Sequence, residues 1–126
     1  MLMMMVILMI ILKVFIRNCN LTTLPPRMEQ LTEMVDFEIS FNRLEEFMVD
    51  VGKWEKLNAL HLMRNNITKY NEQALWTHPN LAYLRISDNK GIQMSSSGTK
   101  IAMPSLMMFA FANNSLRIDG SQFNND

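Results

Sequence analysis

Apolar residues recur along this chain in a short pattern that occurs five times. When the first apolar residue of each copy is position 1, apolar side chains occupy positions 1, 4, 6 and 11, and Asn or Cys occupies position 9. The copies begin 23 to 25 residues apart, at Ile11, Met34, Leu57, Leu81 and Leu106. The fourth copy differs slightly, because Ile92 comes one residue late, after Gly91. A pattern that returns at this spacing indicates a repeat protein in which each copy is one structural unit.

Each repeat is predicted to contain one short strand around positions 3 to 7. Side chains of a strand point alternately to its two faces, so positions 4 and 6 are expected to face inward and positions 3, 5 and 7 outward. The sequence therefore predicts that one set of position-4 residues shares an interior: Val14, Phe37, Leu60, Leu84 and Phe109.

Position 9 is expected to turn inward where the chain leaves the strand. A buried amide at this position can satisfy main-chain groups that would otherwise be unpaired. We expect a structural ladder formed by Cys19, Asn42, Asn65, Asn89 and Asn114. Cys19 is assigned to the core, where its thiol is a weaker hydrogen-bonding partner than an amide.

The segments between the strands are predicted to be turns and short helices. Apolar residues between Leu44 and Trp54 have helical spacing with one apolar face, and a similar segment follows from Thr68 to Trp76. Pro79 and Pro104 each come two residues before a new repeat, where proline ends the preceding element and favours an extended chain. Residues 95–98 are predicted to form a loop.

The repeated pattern resembles the leucine-rich-repeat consensus L-x-x-L-x-L-x-x-N/C-x-L, and the resemblance covers residues 11 to about 120. The resemblance implies an α/β fold: a right-handed leucine-rich-repeat solenoid of about five repeats, with short parallel strands on the concave side and irregular or helical segments on the convex side. We therefore expect a leucine-rich-repeat domain over residues 11–126, preceded by an apolar segment over residues 1–10.

Members of this family recognise partners through the concave sheet, so the outward positions are the candidate binding residues for a protein or peptide ligand. We assign to this face Lys13, Phe15, Arg17, Asp36, Glu38, Ser40, His61, Met63, Tyr83, Arg85 and Ser87, together with Ala59, Met108, Ala110 and Ala112. Phe15, Tyr83 and Arg85 are the expected anchors, because aromatic and arginine side chains dominate protein interfaces. The alternative is that Glu38, His61 and Arg85 form a solvated ladder of charges that contributes little.

Composition and spacing argue against several other functions. Lys and Arg number 12 and Asp and Glu number 12, so the chain lacks the excess of positive charge expected of a nucleic-acid-binding protein. The one cysteine and two histidines do not form a zinc module, and the four glycines are not spaced as a phosphate-binding loop. We interpret His61 and His78 as ordinary histidines, and we predict no metal, no cofactor, no catalytic residues and no enzymatic activity.

Residues 1–10 are almost continuously apolar, and two interpretations remain open. They are the remnant of an earlier repeat, or they are a degenerate targeting or membrane-anchoring segment, although the run is short for a membrane span. The oily first repeat and the lack of polar caps predict end-to-end self-association, and they suggest a piece of a longer protein.

Three sequons make Asn20, Asn66 and Asn113 candidate glycosylation sites in an extracellular compartment. The segments 18–25 and 74–81 are also similar to ectodomain repeats of receptor-like membrane proteins, which slightly favours a membrane-associated, extracellular-facing location. The expected function is that of a non-enzymatic protein-binding module. The alternatives are a fragment or targeting arm of a larger receptor-like protein, or of a kinase or ubiquitin ligase that carries such repeats.

Overall fold

The computed structural model describes residues 11–94, 99–118 and 120–123, and its main element is a parallel five-stranded sheet. The sheet contains β1 (Leu12–Phe15), β2 (Met34–Glu38), β4 (Ala59–His61), β6 (Tyr83–Arg85) and β7 (Met108–Ala110), in that spatial order. Each predicted repeat contributes one strand, and strands that follow one another in the repeats are neighbours in the sheet. The fold is therefore α/β with a parallel sheet and few helices.

The register of the sheet brings equivalent positions of the repeats together. Val14 pairs with Phe37, Phe37 with Leu60, Leu60 with Leu84, and Leu84 with Phe109. Phe37, Leu60 and Leu84 are fully buried, and Val14 and Phe109 pack against the same core. The prediction that these five side chains share one interior is confirmed.

The segments between these strands contain little helix. A second, two-stranded parallel sheet joins β3 (Glu46–Phe47) to β5 (Lys69–Tyr70). The remaining helical elements are the 3₁₀ helices Met28–Gln30, Val51–Lys53 and Gly120–Gln122 and the five-residue helix α1 (Glu72–Trp76). The side chain of Asn71 caps α1 by accepting a hydrogen bond from the Ala74 N–H.

The prediction of helical structure between Leu44 and Trp54 is largely wrong. The segment instead contains β3 and a single 3₁₀ turn, in which the Asp50 carboxylate accepts from the Gly52 N–H at 3.0 Å. Its apolar residues Phe47, Val51 and Trp54 are buried, as a helical face would require. The main chain, however, pairs with the next repeat through β5 instead of with itself, so the apolar spacing is that of buried positions in an irregular segment.

The core lies between the two sheets and contains both tryptophans. Trp54 donates its indole N–H to the Met28 carbonyl at 3.0 Å, and Trp76 donates to the Tyr70 hydroxyl at 2.9 Å. Tyr70 in turn donates to the Gln93 carbonyl at 2.9 Å, and burial raises the pKa of its hydroxyl. The Trp54–Met28 and Tyr70–Gln93 bonds each connect one repeat to the next, so the aromatic core also joins the repeats through polar contacts.

The terminal repeats are less well buried than their consensus positions predict. Ile11 at position 1 of the first repeat is 60% exposed, and Phe111 at position 6 of the fifth is 39% exposed. In the described part of the chain β1 and β7 each have a neighbouring strand on one side only, so these inward positions are covered from one side. Residues 1–10 and the predicted loop at 95–98 lie outside the described residues. Among the described residues, no helix has the length and apolar character needed to cross a membrane.

Candidate functional site

The outward positions of the five strands form one open sheet face, which is the candidate binding surface. Two columns of side chains run across it in register: Lys13, Asp36, Ala59, Tyr83 and Met108 at position 3, and Phe15, Glu38, His61, Arg85 and Ala110 at position 5. A third set, at position 7, follows the strands: Arg17, Ser40, Met63, Ser87 and Ala112.

Two residues assigned to this face are buried and are unavailable to a partner. Ser40 has no exposed surface, and its buried Oγ has no hydrogen-bond partner among the described residues. Ala59 is 6% exposed, since its small side chain lies between the larger Asp36 and Tyr83 on the neighbouring strands. The assignment of Ser40 and Ala59 to a binding surface is therefore wrong.

The half of the open sheet face near β1 is charged. Arg17 Nε lies 2.8 Å from Glu38 Oε1, and His61 Nε2 lies 3.7 Å from Asp36 Oδ1. In the Arg17–Glu38 pair the cation is the more exposed group, since the side chain of Glu38 is 14% exposed and that of Arg17 is 55% exposed. In the His61–Asp36 pair the carboxylate is the more exposed side chain, at 23% against 15%.

His61 is a sheltered histidine in this charged half. Burial lowers the pKa of its imidazole below 6.5; Asp36 and Glu38 raise the pKa, and Arg85 and Arg17 lower it. The separation from Asp36 is longer than a hydrogen bond, so this carboxylate does not offset the loss of solvent. The surroundings of His61 therefore favour its neutral form, which offers a ligand one donor and one acceptor nitrogen.

The other half of the face, around β6 and β7, is mostly apolar. Tyr83 is adjacent to Met108, and Arg85 is adjacent to Ala110, all partly exposed. Arg85 makes no ion pair with any residue that the structure describes. An unpaired guanidinium beside an aromatic ring and a small alanine is suited to contact a partner.

The three predicted anchors do not form one cluster. Tyr83 and Arg85 both lie on β6, but Phe15 is 56% exposed on β1, with β2 and β4 between them. Adjacent strands are about 4.8 Å apart, which separates Phe15 from β6 by roughly 14 Å. A ligand that touches all three must span most of the sheet.

A row of residues that the sequence pattern did not single out borders this face. It consists of the position-8 residues, which all have left-handed backbone conformations: Asn18 (φ 53°), Phe41 (φ 60°), Arg64 (φ 53°), Asp88 (φ 60°) and Asn113 (φ 56°). These residues can be located in the sequence because each directly precedes the Asn or Cys at position 9. Asn and Asp adopt this conformation readily, whereas it is unusual for a bulky residue such as Phe41.

Side chains of this row contact one another. The Cζ atom of Arg64 lies 5.1 Å from the Phe41 ring centroid. Arg17, at position 7, approaches the same ring, with its Cζ atom 5.7 Å from the centroid. Arg64 Nε is 3.6 Å from Asp88 Oδ2, and Asn113 Nδ2 donates to Asp88 Oδ1 at 2.8 Å. The turns after the strands are therefore connected across the repeats.

Three asparagines at position 9 make equivalent hydrogen bonds. Asn42 donates to Ile16 O and Ile39 O at 2.9 Å each and accepts from Leu21 N at 3.1 Å. Asn65 makes the corresponding bonds to Ile39 O, Leu62 O and Leu44 N, and Asn89 makes them to Leu62 O, Ile86 O and Ile67 N. Each amide thus holds main-chain groups of its own repeat and of the preceding one.

Asn114 does not make these bonds. Ile92 N, which follows the apolar residues Leu21, Leu44 and Ile67 in the repeat pattern, donates to Asn89 O within its own turn instead of to Asn114. Asn114 Oδ1 accepts instead from Leu116 N at 3.0 Å, and its buried Nδ2 has no partner among the described residues.

Cys19 is exposed, which corrects its assignment to the core. Its Sγ lies 3.0 Å from the Arg17 carbonyl, while Asn42 Oδ1 accepts from its main-chain N–H at 3.0 Å. Arg17 O is the position-7 carbonyl, and the amides of Asn42, Asn65 and Asn89 donate to the same carbonyl of their own repeats, so the thiol retains one of the contacts that an asparagine makes here.

The two histidines are in different environments and do not form a joint site. His78 is buried; its Nε2 lies 3.0 Å from the Trp54 carbonyl, and its Nδ1 accepts from Asn80 N and Leu81 N. Two N–H donors at Nδ1 identify the neutral tautomer with hydrogen on Nε2, a structural role. Among the described residues, no group of His, Cys, Asp and Glu is arranged to hold a metal ion.

The asparagines of the three sequons all lie at the surface. Asn20, Asn66 and Asn113 are exposed, and Asn20 adopts a left-handed conformation with φ 52°. The amide nitrogen of Asn113 donates to Asp88, so a glycan on this nitrogen would lie directly beside that carboxylate. Asn20 and Asn66 remain the more accessible candidates.

No family model, no curated protein and no solved structure matches this chain.

Proposed function

We propose that this chain is a non-enzymatic protein-binding module of the leucine-rich-repeat type that contacts a protein or peptide through its open sheet face. The observation that carries the proposal is the register of the five strands. It gathers outward side chains from every repeat onto one continuous surface.

The composition of this surface supports the proposal. Tyr83 and Arg85 lie side by side on β6, and Arg85 has no ion-pair partner among the described residues. The sheet beneath is held by buried apolar side chains, so these two residues project from a rigid base. A rigid aromatic and arginine pair provides binding energy at a small entropic cost.

Photo-crosslinking followed by affinity measurement tests the proposal. A photoreactive phenylalanine analogue at position 83 should crosslink a partner that the same analogue at the exposed Lys69 does not. With the identified partner purified, Tyr83→Ala combined with Arg85→Ala should weaken binding at least tenfold, as for central interface residues.

The matched control lies in the two-stranded sheet region. Lys69→Ala combined with Met48→Ala removes a cation and a large side chain, both exposed, and should change affinity by less than twofold. Equal weakening by both double variants, or no crosslink specific to position 83, would contradict the proposed face.

A second candidate function is end-to-end self-association through the outer strands. Met107, next to β7, is 76% exposed, and Ile11 and Phe15 on the β1 side are 60% and 56% exposed. Apolar side chains beside the outer strand of a sheet favour pairing with a second chain. Met107→Lys should lower the weight-average mass in sedimentation, whereas Met48→Lys, at a methionine 55% exposed elsewhere, should not.

A further inference from the structure

Arg17, Phe41 and Arg64 form a cluster at the border of the open sheet face, and we infer that this arginine–phenylalanine cluster is the docking point for an acidic peptide segment. The inference deepens the proposed binding function and rests on it, because it names the chemistry of the partner. The cluster combines two exposed guanidinium groups with one aromatic ring.

The geometry of the cluster holds both guanidinium groups in place. Their central carbons lie 5.7 Å (Arg17) and 5.1 Å (Arg64) from the Phe41 ring centroid. Each arginine also has a carboxylate near its Nε atom, Glu38 for Arg17 and Asp88 for Arg64. Each guanidinium is therefore held between a carboxylate and the Phe41 ring.

The exposure of the charges determines the sign of the ligand. The side chains of Arg17 and Arg64 are 55% and 64% exposed, whereas their carboxylate partners Glu38 and Asp88 are 14% and 37% exposed. The cations are therefore the outermost charges, although the four groups together are neutral.

The terminal nitrogens of a guanidinium match a carboxylate in geometry, which makes this pair of arginines a receptor for acidic side chains. Alternate side chains of an extended peptide lie about 7 Å apart on one side of its backbone. Acidic residues at alternate positions can therefore reach both arginines, while the backbone crosses Phe41.

The backbone of Phe41 positions its ring in the cluster. Its φ is 60°, the left-handed conformation that every repeat has at position 8, where three repeats have Asn or Asp and the third has Arg64. Here it places the ring between the two arginines.

Titration of the folded protein with blocked peptides tests the inference. The probes are a short peptide that alternates Ser and Glu, its counterpart with Gln in place of Glu, and inorganic phosphate, followed by calorimetry and by NMR at low ionic strength. We expect the Glu peptide to bind and to shift the Arg17, Phe41 and Arg64 signals, with at least tenfold weaker binding of the Gln peptide and of phosphate.

Variants locate the binding. Arg64→Gln should weaken binding of the Glu peptide at least tenfold, Arg17→Gln should do the same, and Arg64→Lys should give an intermediate loss. Arg43→Gln removes the same charge at another exposed position and should change affinity by less than twofold. Circular dichroism of each variant verifies that it is folded.

Several outcomes overturn the inference: no binding of the Glu peptide, equal binding of the Gln peptide or of phosphate, or equal losses in Arg64→Gln and Arg43→Gln. If the Tyr83 and Arg85 double variant no longer binds the peptide while Arg64→Gln still does, the arginine–phenylalanine cluster is not the docking point, and the proposed function of the open sheet face is retained. If only the cluster variants lose the peptide and the double variant also retains the purified partner, the cluster stands and the proposed face fails.

Discussion

Gly91 approaches Thr68 so closely that a Cβ atom at residue 91 would lie 2.3 Å from Thr68 Cγ2. The contact joins the third and fourth repeats at the point where the fourth repeat holds its extra residue. Gly91→Ala should therefore lower the free energy of unfolding by about 2 kcal/mol, the usual magnitude for an overpacked site. Urea unfolding of the wild type and the variant measures the difference.

Thr68→Ser tests whether contact with Thr68 Cγ2 is the cause of the lost stability. Serine removes Cγ2, so the nearest remaining atoms to the added Cβ are Thr68 Cβ at 3.2 Å and Ile67 O at 3.3 Å. The double variant should recover most of the lost stability, while Thr68→Ser alone should have a small effect. Additive losses in the double variant would refute the clash.

Asn65 and Asn114 occupy the same repeat position but should respond differently to alanine. Asn65→Ala removes the side-chain oxygen that accepts from Leu44 N, whereas Ile39 O and Leu62 O keep the amides of Asn42 and Asn89 as donors. The substitution should cost about 2 kcal/mol of stability, because a buried main-chain donor is left unpaired. Asn114→Ala removes a group whose Nδ2 is already unpaired among the described residues, and it should cost below about 1 kcal/mol. Equal losses in thermal or urea unfolding would contradict the difference between the two positions.

His61 should titrate with a pKa below 6.5 in the folded protein, because burial disfavours its charged form. The unfolded chain then binds the proton more readily, so the stability contributed by neutral His61 is complete above pH 6.5. It decreases as the pH falls from 6.5 through the folded pKa. The shift of the imidazole proton signals with pH measures the midpoint directly.

Neighbouring charges should move this midpoint in opposite directions. Asp36→Asn should lower the His61 pKa further, and Arg85→Met should raise it, since Asp36 raises and Arg85 lowers the value in the wild type. A wild-type midpoint above 6.5 would mean that pairing with Asp36 outweighs burial.

Cys19 should react with a thiol reagent in the folded protein at the rate of an accessible thiol. Its exposure, together with an Asn42 amide that satisfies the main chain nearby, also predicts that Cys19→Ser leaves stability within about 0.5 kcal/mol. If the thiol reacts only in the presence of denaturant, Cys19 is buried and its description as exposed is wrong.

The strands could be predicted because the same alternating positions are apolar in every repeat, as buried positions of stacked strands must be. Val14, Phe37 and Leu60 follow from spacing alone, and the structure places them in register. The segment from Leu44 to Trp54 was not predictable in the same way. Its buried residues satisfy a helical pattern, but the main chain is decided by pairing of β3 with β5, which a single repeat does not reveal.

The candidate site was predicted in part. Alternation located most of the open face, but it did not reveal that Ser40 is buried. The cluster of Arg17, Phe41 and Arg64 depends on a left-handed backbone that neither phenylalanine nor arginine favours by itself. Every repeat has this conformation at position 8, where main-chain hydrogen bonds such as Phe41 N to Met63 O and Arg64 N to Ser87 O join neighbouring repeats.

The hydrogen bonds that Asn114 lacks affect how the molecule opens. The side chains of Asn42, Asn65 and Asn89 each hydrogen-bond two consecutive repeats, whereas that of Asn114 makes no such bond to the fourth repeat among the described residues. We therefore expect the amide hydrogens of β7 to exchange faster than those of β2 or β4. The junction between β6 and β7 is thereby the one expected to open before the junctions between the middle strands.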